Sequence, residues 1–114
     1  MLTIETLRAY GANVNEGLTR CLNNEAFYLR LVKMSAIDKN FDRLNEALDA
    51  GDRQAAFEAA HALKGAIGNL ALTPILEPVS ALTELLRHEN DEDPTPYRDR
   101  INAQKAALNA LIDG

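Results

Sequence analysis

The chain has 114 residues, which is enough for one domain with a core of its own. Its net charge of −5 argues against a nucleic-acid-binding protein, because such proteins usually carry a basic face. The single cysteine, Cys21, excludes an internal disulfide and a cysteine-cluster metal site, and no apolar stretch approaches the roughly eighteen residues of a membrane helix.

Two short helices are predicted at the N-terminus. Thr3 is placed to cap the first helix, and Gly11 is placed to end it, because glycine readily adopts the left-handed conformation found after a helix. Asn13 and Glu16 have the spacing of a capping box, which predicts that a second helix starts there.

A long apolar stripe follows Asn24, which is placed to cap the next helix, and it ends at Gly51. Its members recur every three or four positions, as expected for one face of a helix. They are Phe27, Leu31, Met34, Ile37, Phe41, Leu44 and Leu48. The pattern predicts that this face is buried, and it leaves open whether the helix bends between Ser35 and Asn40.

Three further helices are predicted after Gly51. An alanine-rich helix capped by Asp52 covers 52–70, and Thr73-Pro74 resembles the N-cap and first position of the next one. Pro78 predicts a kink or a delayed start in that helix. An acidic loop is expected over 88–96, with the last helix restarting at its end.

No segment alternates with the period of a strand, so we expect an all-α fold. Amphipathic helices joined by short turns predict an antiparallel, up-and-down four-helix bundle with additional short N-terminal helices. We expect residues 1–114 to form a single cytoplasmic domain with no metal, no cofactor, no nucleic-acid partner and no membrane segment.

The helix predicted over 52–70 has two contrasting faces when its residues are placed about 100° apart. One face is apolar and is expected to lie in the core: Ala56, Ala59, Leu63, Ile67 and Leu70. The opposite face is formed by Phe57, His61, Lys64, Gly65 and Gly68. His61 is therefore expected to be exposed.

Three features of this second face indicate a visiting anion or partner. Lys64 follows His61 by one turn, and two cationic groups at that spacing repel mildly unless an anion lies between them. Gly65 and Gly68 each cost about 1 kcal/mol relative to alanine inside a helix, so their lack of bulk suggests access. Gly68 is also compatible with close helix packing, and Phe57 either anchors a partner or packs against a neighbouring helix.

The segment His61-Ala62-Leu63-Lys64-Gly65, continued by small and apolar residues, resembles the H-x-L-K-G signature of histidine-containing phosphotransfer domains. The resemblance covers essentially the whole chain. It implies a four-helix bundle in which the histidine takes a phosphoryl group from a receiver-domain aspartate or returns it to one. It also implies that His61 is phosphorylated, that Lys64 stabilises the phosphate and that Gly65 gives access.

The same resemblance implies a role for two positions on the neighbouring helix. Thr83 stands where some relatives use a glutamine to hold the imidazole, and Arg87 stands where some have a basic residue near the docking face. The access and docking set implied by the residues and the resemblance together is Phe57, Gly65, Gly68, Thr83 and Arg87.

The implied partners are response-regulator receiver domains and, as a second class, a hybrid sensor histidine kinase, with the chain itself a monomer. There is no glycine-rich phosphate loop, so no kinase activity of its own is expected. Two alternatives stay open: a helical module that docks a receiver or kinase domain without carrying phosphate, and a plain structural adaptor.

Overall fold

The computed structural model describes residues 1–88 and 90–114, and in these residues the chain forms seven helices and no strand. The all-helical prediction is confirmed for this part of the chain. The helices are α1 (Ile4–Tyr10), α2 (Val14–Arg20), α3 (Glu25–Ala36), α4 (Asn40–Ala50), α5 (Arg53–Asn69), α6 (Thr73–Arg87) and α7 (Thr95–Asp113).

The ends of the N-terminal helices lie where the local capping residues predict them. The Thr3 side chain accepts a hydrogen bond from the Thr6 amide, and Gly11 ends α1 with a φ of 111°. Asn13 and Asn24 cap α2 and α3 in the same way, each accepting from an amide of the first turn. These predicted boundaries are confirmed, because each depends only on residues close together in the chain.

The long stripe predicted from Phe27 to Leu48 is interrupted. Helix α3 ends at Ala36 and α4 begins at Asn40, whose amide donates to the Asp38 carboxylate over 2.8 Å. Because the break separates two helices, the stripe residues before and after it do not share one continuous helix face, and they differ in burial. In α4 the prediction is confirmed, since Phe41 and Leu44 are buried.

In α3 the predicted buried face is wrong. Phe27 and Met34 are exposed, and Ile37, just after the helix, is 80% exposed. The residues that enter the core are Tyr28, Val32 and Ala36. The cause is visible at Tyr28, whose hydroxyl donates to the Leu70 carbonyl over 2.8 Å and so turns this side of α3 towards the end of α5.

The later helix starts differ slightly from expectation. The N-cap of α6 is Leu72, so Thr73 is already inside the helix, and the helix continues through Pro78 without a delayed start. Helix α7 begins at Thr95, close to the predicted restart. The acidic loop was predicted to include Glu89, which lies outside the described residues.

Helix α5 is packed between α4 and α6, and α6 packs in turn against α7. Its buried residues are Ala56, Ala59, Ala60, Leu63 and Ile67. The predicted core face of α5 is confirmed, and Ala60 is buried with it.

In the part of the chain that the structure describes, none of the helices combines the length and apolar character needed to cross a bilayer.

Polar contacts join the first and last helices of this group. Arg98 of α7 forms an ion pair with Asp49 of α4, and the amides of Asn45 and Asn102 bond to each other over 3.1 and 3.2 Å. Helices α4 and α6 cover the core side of α5, whereas its opposite side is exposed.

Candidate functional site

Helix α5 carries His61 on its open side. The helix starts at a firm cap, because the Asp52 carboxylate accepts from the Ala55 amide over 3.1 Å. From there the helical period places Leu63 in the core, fully buried, and turns His61 outwards into solvent. The predicted exposure of His61 is confirmed.

Lys64 lies one turn after His61 and is half-buried. None of the ion pairs formed within residues 1–88 and 90–114 involves Lys64. Its ammonium group is thus available to an anion that approaches this face of α5. A half-buried lysine acts more strongly on such an anion than a fully solvated one, because less water screens it.

Gly65 borders open space, whereas Gly68 lies in a helix contact. A Cβ placed on Gly65 would meet no atom within 4 Å beyond the adjoining residues and backbone of its own helix, so packing inside the chain does not require a glycine there. A Cβ on Gly68 would lie 3.5 Å from Leu76 of α6, an ordinary van der Waals contact. Packing inside the chain therefore requires glycine at neither position, although only Gly65 borders open space.

Phe57 and Arg87 meet beside His61. The ring centroids of Phe57 and His61 are 5.7 Å apart with their planes inclined by 38°. The guanidinium carbon of Arg87 lies 5.2 Å from the Phe57 ring centroid, which is within cation–π range. Phe57 is half-buried and packs against the core, which supports the packing interpretation.

Thr83 is not part of the access surface. It is fully buried, and its hydroxyl donates to the Val79 carbonyl one turn earlier over 2.7 Å. The expectation that Thr83 lies with the access and docking residues is therefore wrong. A sequence signal for its burial exists, since Thr83 is spaced by four and three residues from Val79 and Leu86 on the apolar face of α6.

Sequence reasoning also missed Arg53. Its guanidinium donates to the carbonyls of Leu85, over 2.6 Å, and of His88, which satisfies groups at the C-terminal end of α6. An arginine in the first turn of α5 opposes the helix dipole, and that unfavourable placement was the available signal. The contact holds the end of α6, and with it Arg87, beside the start of α5.

No metal site is evident among residues 1–88 and 90–114, where His, Cys, Asp and Glu side chains form no group of three able to hold an ion. His61 and His88 are each exposed, and His88 lies 4.0 Å from the Glu84 carboxylate. This face of α5 presents the imidazole of His61, with the ammonium group of Lys64 one turn away.

Comparison with known proteins assigns the chain to a family. A family model described as Hpt domain matches residues 33–114, which covers most of the chain and includes α4 to α7 with both His61 and Lys64. A search of curated proteins and a search of solved structures each found no match. The chain belongs to the Hpt domain family, whose members serve in histidine phosphotransfer in phosphorelays.

Proposed function

We propose that this chain is a phosphorelay intermediate that carries a phosphoryl group on His61 between the aspartates of receiver domains. The observation that carries the proposal is the exposed imidazole in the middle of α5, with Lys64 one turn away and open space at Gly65. A structural adaptor has no need for this combination, because an alanine would stabilise the helix at position 65.

The transfer step moves the phosphoryl group directly from one protein to the other. An unprotonated ring nitrogen of His61 donates its lone pair to the phosphorus of a receiver aspartyl phosphate, and an N–P bond forms. The P–O bond to the aspartate breaks, and its electron pair stays on the released carboxylate. The proton on the other ring nitrogen remains there, so the imidazole gains one positive charge while it takes up the dianionic phosphoryl group.

Lys64 and Gly65 would assist this step in different ways. Catalysis of phosphoryl transfer depends mostly on positioning and on charge compensation at the phosphoryl oxygens. The Lys64 ammonium group supplies positive charge on the correct face, and Gly65 leaves room for the receiver domain to approach. Transfer back to another aspartate uses the same groups in reverse order.

We further propose that residues 1–114 form one monomeric, cytoplasmic domain in which α4 to α7 make an antiparallel four-helix bundle. The connections between α4 and α5 and between α5 and α6 are each only a few residues long, which favours antiparallel neighbours. A reducing compartment fits the single, buried thiol of Cys21. The partners are receiver domains and a hybrid sensor histidine kinase.

A labelling experiment with a phosphorylated receiver domain tests the proposal. Wild-type protein should take up label that survives alkali and is lost in acid, as expected for phosphohistidine. The His61→Ala variant should take up none, and the matched variant His88→Ala, which removes the other exposed histidine, should be labelled normally. Labelling of His61→Ala, or no labelling of wild type by any receiver domain of the same cell, would refute the proposal.

The same variants separate the docking alternative. A module that only docks a receiver domain would bind it equally well as wild type and as His61→Ala, and neither protein would become labelled. Binding measured by titration calorimetry alongside the labelling assay therefore decides between carrying the phosphoryl group and docking alone.

A further inference from the structure

The imidazole of His61 has an aromatic neighbour but no hydrogen-bonding one within residues 1–88 and 90–114. The hydroxyl of Thr83, at the position where some relatives carry a glutamine, donates instead to the Val79 carbonyl. Phe57 lies one turn before His61, and a centroid separation of 5.7 Å is inside the range of about 4.5–7 Å in which tilted aromatic rings attract. Phe57 is therefore in a position to restrain the imidazole.

Phe57 is itself held from the neighbouring helix. The Arg87 guanidinium lies over its ring at 5.2 Å, and Arg87 is also bonded to Glu84 over 3.3 Å. Arg53 secures the end of α6 through the Leu85 carbonyl. A continuous series of contacts thus runs from the end of α6, through Phe57, to the imidazole.

We propose that Phe57, clamped by Arg87, is a positioning residue that orients the imidazole of His61 for phosphoryl transfer. This inference rests on the proposed function, and it assigns Phe57 and Arg87 a role within the free protein rather than a contact with the partner. Phe57 acts through His61 and does not touch the phosphoryl group.

The physical reason lies in the freedom of an exposed histidine. Rotation about the bond to its ring is broad and roughly two-fold, so an unrestrained imidazole presents either ring nitrogen, at many angles, to an incoming phosphorus. Transfer requires the reacting atoms to be about 3–3.5 Å apart and aligned. A ring packed at a tilt beside the imidazole removes unproductive orientations before the receiver domain arrives.

The expected effect is moderate. An aromatic pair of this kind corresponds to roughly a 2- to 12-fold change in a rate or equilibrium constant. Loss of Phe57 should therefore slow transfer by roughly that factor without abolishing it, since the nucleophile and Lys64 remain.

Proton NMR of the free protein tests the orientation directly. The chain has two histidines, so in a His88→Gln background every imidazole signal belongs to His61. Phe57→Leu should move the His61 ring-proton signals towards those of a histidine without an aromatic neighbour, because the ring current is lost. Phe57→Tyr keeps the ring and should leave these signals nearly unchanged.

Arg87→Gln supplies a second variant that does not disturb the core, since Arg87 is exposed. It should shift the His61 signals in the same direction as Phe57→Leu, but less. The matched control is Arg30→Gln, which removes a guanidinium 6.0 Å from the Phe27 ring on α3 and should leave His61 unaffected. If neither Phe57→Leu nor Arg87→Gln moves the His61 signals, the proposal is overturned, whether or not His61 is phosphorylated.

Single-turnover transfer from a phosphorylated receiver domain supplies the kinetic readout. With Phe57→Leu the rate at saturating receiver should fall roughly 2- to 12-fold, the receiver concentration for half-maximal rate should stay constant, and Phe57→Tyr should restore the rate. An unchanged saturating rate with a higher half-maximal concentration would make Phe57 a docking residue and refute its positioning role. Absence of phosphate on wild-type His61 would instead refute the proposed function and leave the NMR result standing.

Discussion

Replacing Gly65 by alanine should stabilise the protein and impair phosphotransfer at the same time. Gly65 lies inside α5 and is exposed, and a Cβ there would have no atom within 4 Å beyond the adjoining residues and backbone of its own helix. In the free protein the added methyl group therefore meets only solvent. In the complex it would occupy space that we assign to the approaching receiver domain.

The gain in stability follows from helix propensity. Glycine is about 0.8–1.0 kcal/mol less favourable than alanine inside a helix, and no clash at position 65 subtracts from that difference. For a chain of this length a change of 1 kcal/mol raises Tm by about 3–6 °C. Gly68→Ala is a close comparison, because its new methyl group would lie 3.5 Å from Leu76 and should also be tolerated.

The loss in transfer follows from geometry. A misplacement of about 1 Å between reacting groups can cost about 100-fold in rate, so a methyl group beside the attacking imidazole should slow transfer by about 10-fold or more. Thermal unfolding and single-turnover labelling of Gly65→Ala, with Gly68→Ala as control, give both quantities. The reasoning fails if Gly65→Ala unfolds at a lower temperature than wild type, or if it is stabilised and still accepts phosphate at the wild-type rate.

Three further predictions concern charge, packing and pH. Lys64→Gln should slow transfer by about 10-fold, which is less than the roughly 100- to 1,000-fold loss expected for a fully enclosed charge-stabilising group. The control variant Lys39→Gln should have no effect on the rate. Equal transfer rates for the two variants would contradict the role of Lys64. Gly17→Ala would place a Cβ 2.6 Å from the Tyr28 ring and should cost about 1–3 kcal/mol in a denaturant titration; an unchanged midpoint would show that the ring moves freely. Burial, reinforced by Cys21, raises the pKa of Tyr28 from 10.0 to about 12, so the neutral phenol stabilises the fold fully below pH 10.0 and this contribution is lost as the pH rises towards about 12. Tm should fall less steeply over that window in Tyr28→Phe, and parallel curves would contradict this.

Helix α5 could be predicted from the sequence almost completely. Its start depends on the Asp52 cap, and its two faces follow from the spacing of residues such as Leu63 and Ile67, which are all local information. The same reasoning failed in α3, because the buried face there is selected by the contact of Tyr28 with Leu70, a residue far away in the chain. Local periodicity contains no information on which of two partly apolar faces a distant partner will cover.

In the candidate site, too, the contacts within one helix were predictable from the sequence, whereas the contacts between helices were not. His61, Lys64 and Gly65 share one helix, so their common face was visible in the sequence. The contact between Phe57 and Arg87 joins two helices, and it depends on how α6 is rotated against α5, which no spacing rule determines. Thr83 shows the reverse case, since its place on the apolar face of α6 was visible but was outweighed by the resemblance to relatives with glutamine there.

The composition of the buried face of α5 bears directly on how the histidine can work. Ala56, Ala59 and Ala60 are all buried, and alanine at a helix contact lets neighbouring backbones approach closely. Alanine has no rotamers to rearrange, so the helix has few alternative positions between α4 and α6. A nucleophile on such an element keeps its backbone position when a partner arrives, unlike one on a loop. The rotational freedom that remains is that of the imidazole ring about its own side-chain bonds. An aromatic neighbour one turn away acts on that rotation, and so on the transfer rate.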